Sequence, residues 1–495
     1  MDATSKHQPT EEQCAIIERV STSDGNLLIT ALAGTGKTTT LEMMQDHIDE
    51  SPRLYLAFAK RNVEEAEGKF PSDCEVRTFN SCGHRIVAKM IGKKKLEVDK
   101  QKTNKLLRII IDEANSNVRD VLWGTYHDVV PAVAHAKALG YVPDGSYTNA
   151  KRLMNREQFH QRLALDLEEP DELTAELIDT VLLQSIRTAF EGYIDFNDQV
   201  YIPAVFGGPY PRFPYVMADE AQDLNPVNHA MLERLVRGRF AAVGDDAQSI
   251  YEFRGAVQGG MSKLKRRFDM EEMTLSVSFR CPQAVVEYAR WRVPNFKWAK
   301  SGGSVDLLSK LDPDTIPDTD DPNGVAFICR NNAPLFKLAL QLLAHGRGVS
   351  VAGSDIGPRI IAIMGKLGPG NMDRPSVMAA VDDWLLEKIA KKSASAHDIA
   401  ACMKVFASYG SDLDQAVAYA KSLFDQTGPI KLLTGHKAKG LEYDTVYHLD
   451  PWLINNDKGD QERNLRYVIT TRAKQQLFEI NSAQIEWSNH VDDQV

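Results

Sequence analysis

No apolar run in the chain approaches the ~18 residues that a membrane-spanning helix needs. The first residues, Met1 to Pro9, are polar and lack the apolar core of a secretion signal. The six cysteines, Cys14, Cys74, Cys82, Cys281, Cys329 and Cys402, show no Cys-x-x-Cys or other metal-like spacing. Scattered thiols of this kind fit a reducing compartment, and no disulfide is expected. There is no internal repeat and no long low-complexity tract. An excess of basic residues is also missing. The formal net charge of −10 excludes a uniformly basic coat but leaves room for a local basic groove on an otherwise acidic surface.

What the chain does contain is enough apolar sequence to fold. At 495 residues it is long enough for roughly three or four domains. A hydrophobic content of 43% beside 25% charged residues places it among core-forming globular proteins. Strand-like runs recur at Leu27 to Thr30, Leu54 to Phe58, Tyr215 to Ala218, Phe240 to Val243, Val325 to Cys329 and Thr445 to Leu449. Helical stretches separate them, and that alternation predicts parallel α/β sheets. Two regions break the rhythm. From about Ile91 to Glu191 the pattern is mostly helical, with Ile178, Val181, Leu182, Ile186 and Ala189 at helical spacing. Residues 346–428 are also mostly helical, with a break at Leu367-Gly368-Pro369-Gly370. The stretch Leu311 to Gly324, rich in Asp and Pro, is predicted to be an exposed connector. The simplest architecture is two α/β cores, each carrying an inserted, mostly helical subdomain.

The run Ala31-Leu32-Ala33-Gly34-Thr35-Gly36-Lys37-Thr38 carries the strongest chemical signal. It follows an apolar strand and precedes a helix-compatible segment. Backbone N–H groups in such a loop cradle phosphates, a Lys reaches the β- and γ-phosphates, and a Ser or Thr hydroxyl meets Mg²⁺. The pattern usually opens with Gly, where this chain has Ala31. Ala33, Gly34, Thr35, Gly36, Lys37, Thr38 and Thr39 are the expected cradle. A second apolar strand, Val216-Met217-Ala218, ends in Asp219-Glu220. In a nucleotide site Asp219 would hold Mg²⁺ and Glu220 would orient and deprotonate the attacking water.

The continuation Asp219-Glu220-Ala221-Gln222-Asp223 resembles the signature of superfamily 1 helicases of the UvrD/Rep/PcrA-like group. The resemblance runs on in order. Val243 to Ala256 is similar to motif III, Ser278-Phe279-Arg280 to motif IV, Thr434 to Tyr443 to motif V, and Arg463 to Ala473 to motif VI. It covers the two cores well and the inserts poorly. The second insert is short, which is closer to compact phage or Fbh1-like members. The resemblance implies an α/β fold of two RecA-like P-loop cores. It divides the chain into core 1A (1–90 and 191–278) with insert 1B (91–190), and core 2A (279–345 and 429–495) with insert 2B (346–428).

The resemblance also implies residue roles. Gln13 would read adenine, although Thr10-Glu11-Glu12-Gln13 also fits a helix-capping box. Phe279 would stack on the adenine, Arg280 and Arg472 would meet the γ-phosphate, Gln248 would sense it, and Glu442 would accept from the ribose. For nucleic acid it implies Phe58, Thr78, Phe79, Phe196, Tyr251, Phe253, Arg254, Asn332 and His436. Phe58, Phe79 and Phe196 also fit as core aromatics. Phe253 stands where bacterial members usually carry Trp, Asn80 replaces a usual His, and Ala59-Lys60 replaces a polar pair. The run Lys93-Lys94-Lys95, followed by Lys100, Lys102, Lys105 and Arg108, reads either as a solvated face or as a guide for duplex.

Together these imply an ATP- and Mg²⁺-dependent helicase or translocase, with nucleotide between the cores, moving 3′→5′ on single-stranded DNA and meeting single-strand/duplex junctions. Rival readings are a translocase that strips proteins with little unwinding, an ATP-switched binding module, and an RNA substrate. Single-strand-binding, replication or repair proteins are the expected partners, with the oligomeric state open and a monomer compatible. Location would be the cytoplasm of a bacterial or phage-infected cell, or a nucleus. The chain continues only 21 residues past Lys474, so no appended nuclease is expected.

Overall fold

A computed structural model describes residues 8–166, 170–251, 255–256, 259–353, 356–390 and 395–485. The chain divides into two compact units, Met1–Ala31 with Gly36–Leu275 and Leu32–Thr35 with Ser276–Val495.

The first unit opens with α1 (Glu11–Thr22), β1 (Asn26–Ala31), α2 (Lys37–Met43), β2 (Arg53–Ala57), α3 (Lys60–Ala66), β3 (Cys74–Thr78) and α4 (Phe79–Met90). A short strand β4 (Glu97–Val98) then leads into the helices α5 (Lys102–Glu113), α6 (Ser116–Gly124), α7 (Tyr126–Leu139), α8 (Arg156–Asp166) and α9 (Glu172–Phe190). The chain returns through β5 (Tyr193–Ile194), α10 (Phe196–Phe206), β6 (Phe213–Ala218), α11 (Pro226–Leu235), β7 (Val236–Gly244), α12 (Gly260–Phe268) and β8 (Met270–Leu275).

Six of these strands form one parallel sheet in the order β3-β2-β6-β7-β1-β8. Successive strand residues face opposite sides of a sheet. Leu27, Ile29, Tyr55, Ala57, Met217 and Val243 accordingly fall in one buried cluster, and Leu28, Leu54, Leu56, Val216 and Ala242 in another. Burial on both faces explains why these strands read as unbroken apolar runs. The second cluster extends without interruption into the helical segment through Leu107, Val133, Val181, Leu182 and Ile186. The helical spacing on α9 therefore marks the stripe that packs inward.

The second unit contains β9 (Val277–Pro282), α13 (Gln283–Ala289), β10 (Lys297–Lys300), β11 (Ser304–Leu308), β12 (Val325–Cys329), α14 (Asn332–Ala344) and β13 (Val349–Val351). Four helices follow, α15 (Gly357–Met364), α16 (Arg374–Ala390), α17 (Ala396–Tyr409) and α18 (Leu413–Phe424). The unit closes with β14 (Ile430–Thr434), α19 (Gly435–Ala438), β15 (Tyr443–Leu449), α20 (Asp460–Thr470) and β16 (Ala473–Ile480). Its main sheet is also parallel, in the order β11-β16-β15-β12-β14-β13. Both units thus have the α/β architecture that the alternation of strands and helices implies.

The stretch Leu311 to Gly324 is not simply an exposed connector. Leu311 and Ile316 are buried in the second unit's core while Asp312, Asp314 and Asp318 face solvent. Arg347 fastens it by donating to the carbonyls of Pro313 at 3.1 Å and Ile316 at 2.9 Å. Acidic and Pro-rich composition hides two apolar anchors spaced along an irregular segment. All six cysteines are free thiols. No helix among the described residues is long and apolar enough to cross a membrane.

Candidate active site

The glycine loop joins β1 to α2. Gly34 and Gly36 have φ of +70° and +79°, a left-handed conformation that glycine adopts without steric penalty. A Cβ on Gly34 would come within 2.4 Å of the Arg280 Cβ, so this position also needs the smallest residue for packing. Thr40 holds the start of α2 by donating from its backbone N–H and its hydroxyl to the Gly36 carbonyl, at 2.8 and 2.9 Å. Thr35 is buried with its hydroxyl on the Leu32 carbonyl, whereas Thr39 is exposed.

Gln13 takes the capping role that its sequence also allows. Its Oε1 accepts from the Thr10 N–H at 3.0 Å while its own N–H donates to Thr10 Oγ1 at 3.1 Å, completing the capping box of α1. Its Nε2 donates to Thr40 Oγ1 at 3.0 Å. The amide oxygen and one amide N–H are engaged and the residue is buried, so here it braces the loop helix.

β6 delivers Asp219 and Glu220 at its C-terminal end, beside β2. Asp219 is fully buried and accepts three hydrogen bonds. Thr38 Oγ1 donates to its Oδ2 at 3.0 Å, the Tyr55 hydroxyl to the same oxygen at 2.8 Å, and the Glu220 N–H to Oδ1 at 2.8 Å. Burial, then the neighbouring Glu220 charge, pushes the Asp219 pKa up to about 6. Burial followed by the Asp219 charge also raises the pKa of Tyr55, which keeps its hydroxyl a donor.

Glu220 has φ of 52°, a strained conformation for a side chain with a Cβ and one found preferentially at functional sites. It lies 3.7 Å from Lys37 Nζ. From Glu220 a chain of hydrogen bonds leads inward. Gln222 Nε2 donates to Glu220 Oε2 at 2.6 Å, the Asp245 N–H to Gln222 Oε1 at 2.9 Å, and Gln248 Nε2 to Asp245 Oδ2 at 2.6 Å. Burial raises the Asp245 pKa. The first unit therefore brings together Lys37, Asp219, Glu220 and Gln248, which the sequence singles out for catalysis, with Thr38, singled out for the metal. It adds Tyr55, Gln222 and Asp245. Gln222 and Asp245 sit inside quoted motifs, but only the fold shows what they hold. Tyr55 carries no motif signal; its role follows from β2 lying beside β6, with Leu56 opposite Ala218.

These groups fit a small, hard cation. One buried carboxylate and one hydroxyl, 3.0 Å apart, form an all-oxygen set of the kind Mg²⁺ completes with water and phosphate oxygens. Among the described residues no group of three or more His, Cys, Asp or Glu side chains could hold a metal by itself.

Within the second unit, the Phe279 N–H donates to the Gly34 carbonyl at 2.9 Å and Ser278 Oγ to the Ala33 carbonyl at 2.9 Å. The Ala33 N–H donates to the Tyr467 hydroxyl at 3.1 Å. Arg280 Nε donates to Glu442 Oε2 at 2.6 Å. Burial works against it, yet the Arg280 charge holds the Glu442 pKa below its usual range. Glu442 thus serves as the Arg280 counter-ion in this structure rather than as an open acceptor. Arg472 is also drawn inward. It is 1% exposed and donates to the Val468 carbonyl at 2.8 Å, the Leu441 carbonyl at 3.1 Å and Thr471 Oγ1 at 3.0 Å. It therefore closes the end of α20 instead of projecting from it, because the carbonyls of a helix's last turn lack intrahelical donors.

The nucleic-acid candidates divide. Phe58 and Phe196 are 39% and 46% exposed. Phe79 is 2% exposed inside the core of the first unit, which corrects its expected contact with a base. It occupies the first position of α4 on the face that packs inward. Thr78 caps that helix through Ser81, and Asn332 Nδ2 donates to Asp398 Oδ2 at 2.8 Å. Tyr251 and His436 are half-buried. Phe253 and Arg254 lie outside the described residues.

Comparison with known proteins identifies the family. A family model described as the UvrD/REP helicase N-terminal domain matches residues 10–269, and one described as the UvrD-like helicase C-terminal domain matches residues 412–484. The chain is 24% identical to F-box DNA helicase protein 1 of Schizosaccharomyces pombe, over 95% of this chain and 57% of that protein. It is 25% identical to ATP-dependent DNA helicase PcrA of Staphylococcus aureus, over 61% of this chain and 42% of that protein. With PcrA of Leuconostoc citreum the identity is 23%, over 58% and 40% respectively. The chain thus spans little more than half of the yeast relative and less than half of the bacterial ones.

Proposed function

We propose, since the chain belongs to the UvrD/REP helicase family, that it is an ATP-driven motor on single-stranded DNA. The observation that carries the reading is the convergence of Lys37 and Thr38 at the start of α2 with Asp219 and Glu220 at the C-terminal end of β6, with Gln222, Asp245 and Gln248 linked behind them. Lys37 and the loop N–H groups would bind the phosphates of ATP. Thr38 and Asp219 would hold Mg²⁺, which supplies neutralising charge on the phosphate oxygens. Glu220 would accept the proton of the attacking water, oriented by Gln222. Gln248 would carry a change at the phosphates through Asp245 to the rest of the unit. Arg280, released from Glu442, would stabilise charge on the transferring phosphoryl group, as an arginine finger does. Arg472 would reinforce it only after exchanging its backbone acceptors. Phe58 and Phe196 are exposed aromatics suited to base stacking, which tolerates any sequence.

The names of the relatives support DNA as the track, and 3′→5′ polarity follows the family resemblance. The test is ATP turnover with and without single-stranded DNA, followed by unwinding of 3′- and 5′-tailed duplexes. The reading expects DNA-stimulated turnover and unwinding from a 3′ tail. Turnover that DNA does not stimulate would favour an ATP-switched binding module. Stimulation with protein displacement but little unwinding would assign the chain to the strippers.

A further inference from the structure

Arg280 and Arg472, the cations proposed for the transferring phosphoryl group, sit in separate stretches of the second unit. Arg280 lies near the end of β9, which runs straight into α13. Arg472 stands at the corner between α20 and β16. Contacts along their length tie these stretches together. Closest to the arginines, the buried Cys281 thiol donates to the Thr471 carbonyl at 3.6 Å, so the residues next to Arg280 and Arg472 touch. Just past the end of α13, Arg292 Nε donates to Asn464 Oδ1 at 2.9 Å, and its Nη2 lies 3.7 Å from Asp460. Between these ties stands Arg466.

Arg466 is half-buried on α20, and the family resemblance gives it no role. Its Nη2 donates to the Tyr288 hydroxyl on α13 at 2.9 Å and to Glu479 Oε1 on β16 at 3.2 Å. Its guanidinium lies 5.7 Å from the centre of the Trp291 ring, within cation–π range. One side chain thus joins the helix that follows Arg280 to both arms of the corner that holds Arg472. Glu479 is buried, with His448 Nδ1 3.5 Å away. Burial opposes its charge, yet His448, Tyr288 and Arg466 hold its pKa down to about 2. Burial, then the Glu479 charge, raises the Tyr288 pKa and keeps its hydroxyl protonated. The bridge is therefore a partly desolvated, charge-assisted network, which fixes geometry more firmly than a solvated surface pair.

We propose that Arg466, held between Tyr288 and Glu479, is a positioning residue for ATP hydrolysis, fixing the spacing of the Arg280 and Arg472 segments so that both guanidinium groups meet the transferring phosphoryl group together. The proposal rests on the motor reading and adds to it a residue that acts through other side chains. Placement decides what such cations contribute. A misplacement of about 1 Å costs on the order of 10²-fold in rate, well within the ~10³–10⁵ that an arginine finger supplies. Contacts made only in the transition state show in kcat rather than in KM.

The test is steady-state ATP turnover by the full chain with a saturating dT oligonucleotide. Tyr288→Phe removes one hydroxyl and keeps the ring, whereas Arg466→Met removes the donors and keeps the stem. They should lower kcat by roughly 3-fold and at least ~10-fold respectively, with KM for ATP within ~2-fold of wild type. Arg466→Lys keeps the charge without the planar fork and should recover part of the loss. Added to Arg280→Ala, Arg466→Met should cost under ~3-fold more, because one of the groups it positions is gone. Unchanged kcat in folded Tyr288→Phe and Arg466→Met overturns the proposal, as does a rise in KM alone. The full loss repeated on Arg280→Ala also overturns it, since a general structural defect would multiply. Should Arg466→Met fail to fold, Tyr288→Phe alone and on Arg280→Ala decides the matter. A wild-type chain without ATP turnover overturns the motor reading, and normal turnover in Arg280→Ala overturns that arginine's part in it; either takes this proposal with it.

Discussion

Tyr55 shows what a single residue can conceal. Its hydroxyl shares Asp219 Oδ2 with Thr38, and no motif marks it. Tyr55→Phe leaves a buried carboxylate one donor short. A hydrogen bond to a charged group is worth about 1.5–3 kcal/mol, so the variant should lose stability of that order, read from the denaturant midpoint. Glu220→Gln keeps a side chain of the same shape beside Lys37 and Gln222 but removes the proton acceptor. Nucleotide affinity should persist while the hydrolysis step falls by about 10²–10⁴ in single-turnover assays. Lys37, Thr38, Asp219 and Glu220 were legible because their spacing within a loop or at a strand end is itself the chemistry. Tyr55 was not, because its meaning depends on which strand lies next to β2. Phe79 and Phe196 divide for a similar reason. Each opens a helix after a cap, and only the direction of that helix sets one in the core and the other in solvent. Gln13 keeps the capping partner its sequence offers and adds Thr40, while Arg472 turns back onto the carbonyls of Val468 and Leu441, an orientation only the fold shows.

At the scale of elements, strands that are apolar throughout and long amphipathic helices were readable, whereas strands that mix in polar residues were not, whether at a sheet edge, as β8 and β3, or inside the second sheet, as β14 and β16. β8 presents Glu271 and Glu272 to solvent and pairs through one side with β1. β16 carries Lys474, Gln475 and Gln476 before its apolar end. Neither has the apolar run by which a doubly covered strand declares itself. Edge strand β3 likewise mixes Glu75 and Arg77 among its residues. The helical segment hides a polar feature of its own. Lys102 and Lys137 look like surface charges in sequence, yet both are fully buried against Asp195 and Asp198. Burial opposes its charge, but the two aspartates hold the Lys137 pKa above its usual value. Lys137→Met therefore leaves two buried carboxylates with one ammonium between them. Breaking a buried pair from one side costs about 3–5 kcal/mol, so thermal unfolding of the first unit should shift down by that order. A Lys137→Met/Asp195→Asn variant should recover part of the loss.

For the molecule as a whole, acid should weaken the first unit through His229 on α11. Burial, then the Lys263 charge, lowers its pKa to about 4. The unfolded chain takes up a proton near pH 6.5 that the folded chain refuses until about pH 4. Its contribution is thus complete above about pH 6.5, declines as the pH falls toward about 4, and levels off below, for a total of roughly 3 kcal/mol. Urea midpoints across that window should fall in the wild type and fall less in His229→Gln. The strand order carries a further consequence for synthesis. Leu28 sits opposite Ala242, and Thr30 opposite Thr274. On the ribosome the first apolar strand emerges long before the partners that flank it. At about 5–20 residues per second, the interval is on the order of 10–50 s. Throughout it the nascent chain displays Leu27, Leu28 and Ile29 uncovered, so heat-shock chaperones rather than the sheet itself should be their first occupants, and yield in a host should track chaperone supply more closely than the stability of the finished fold.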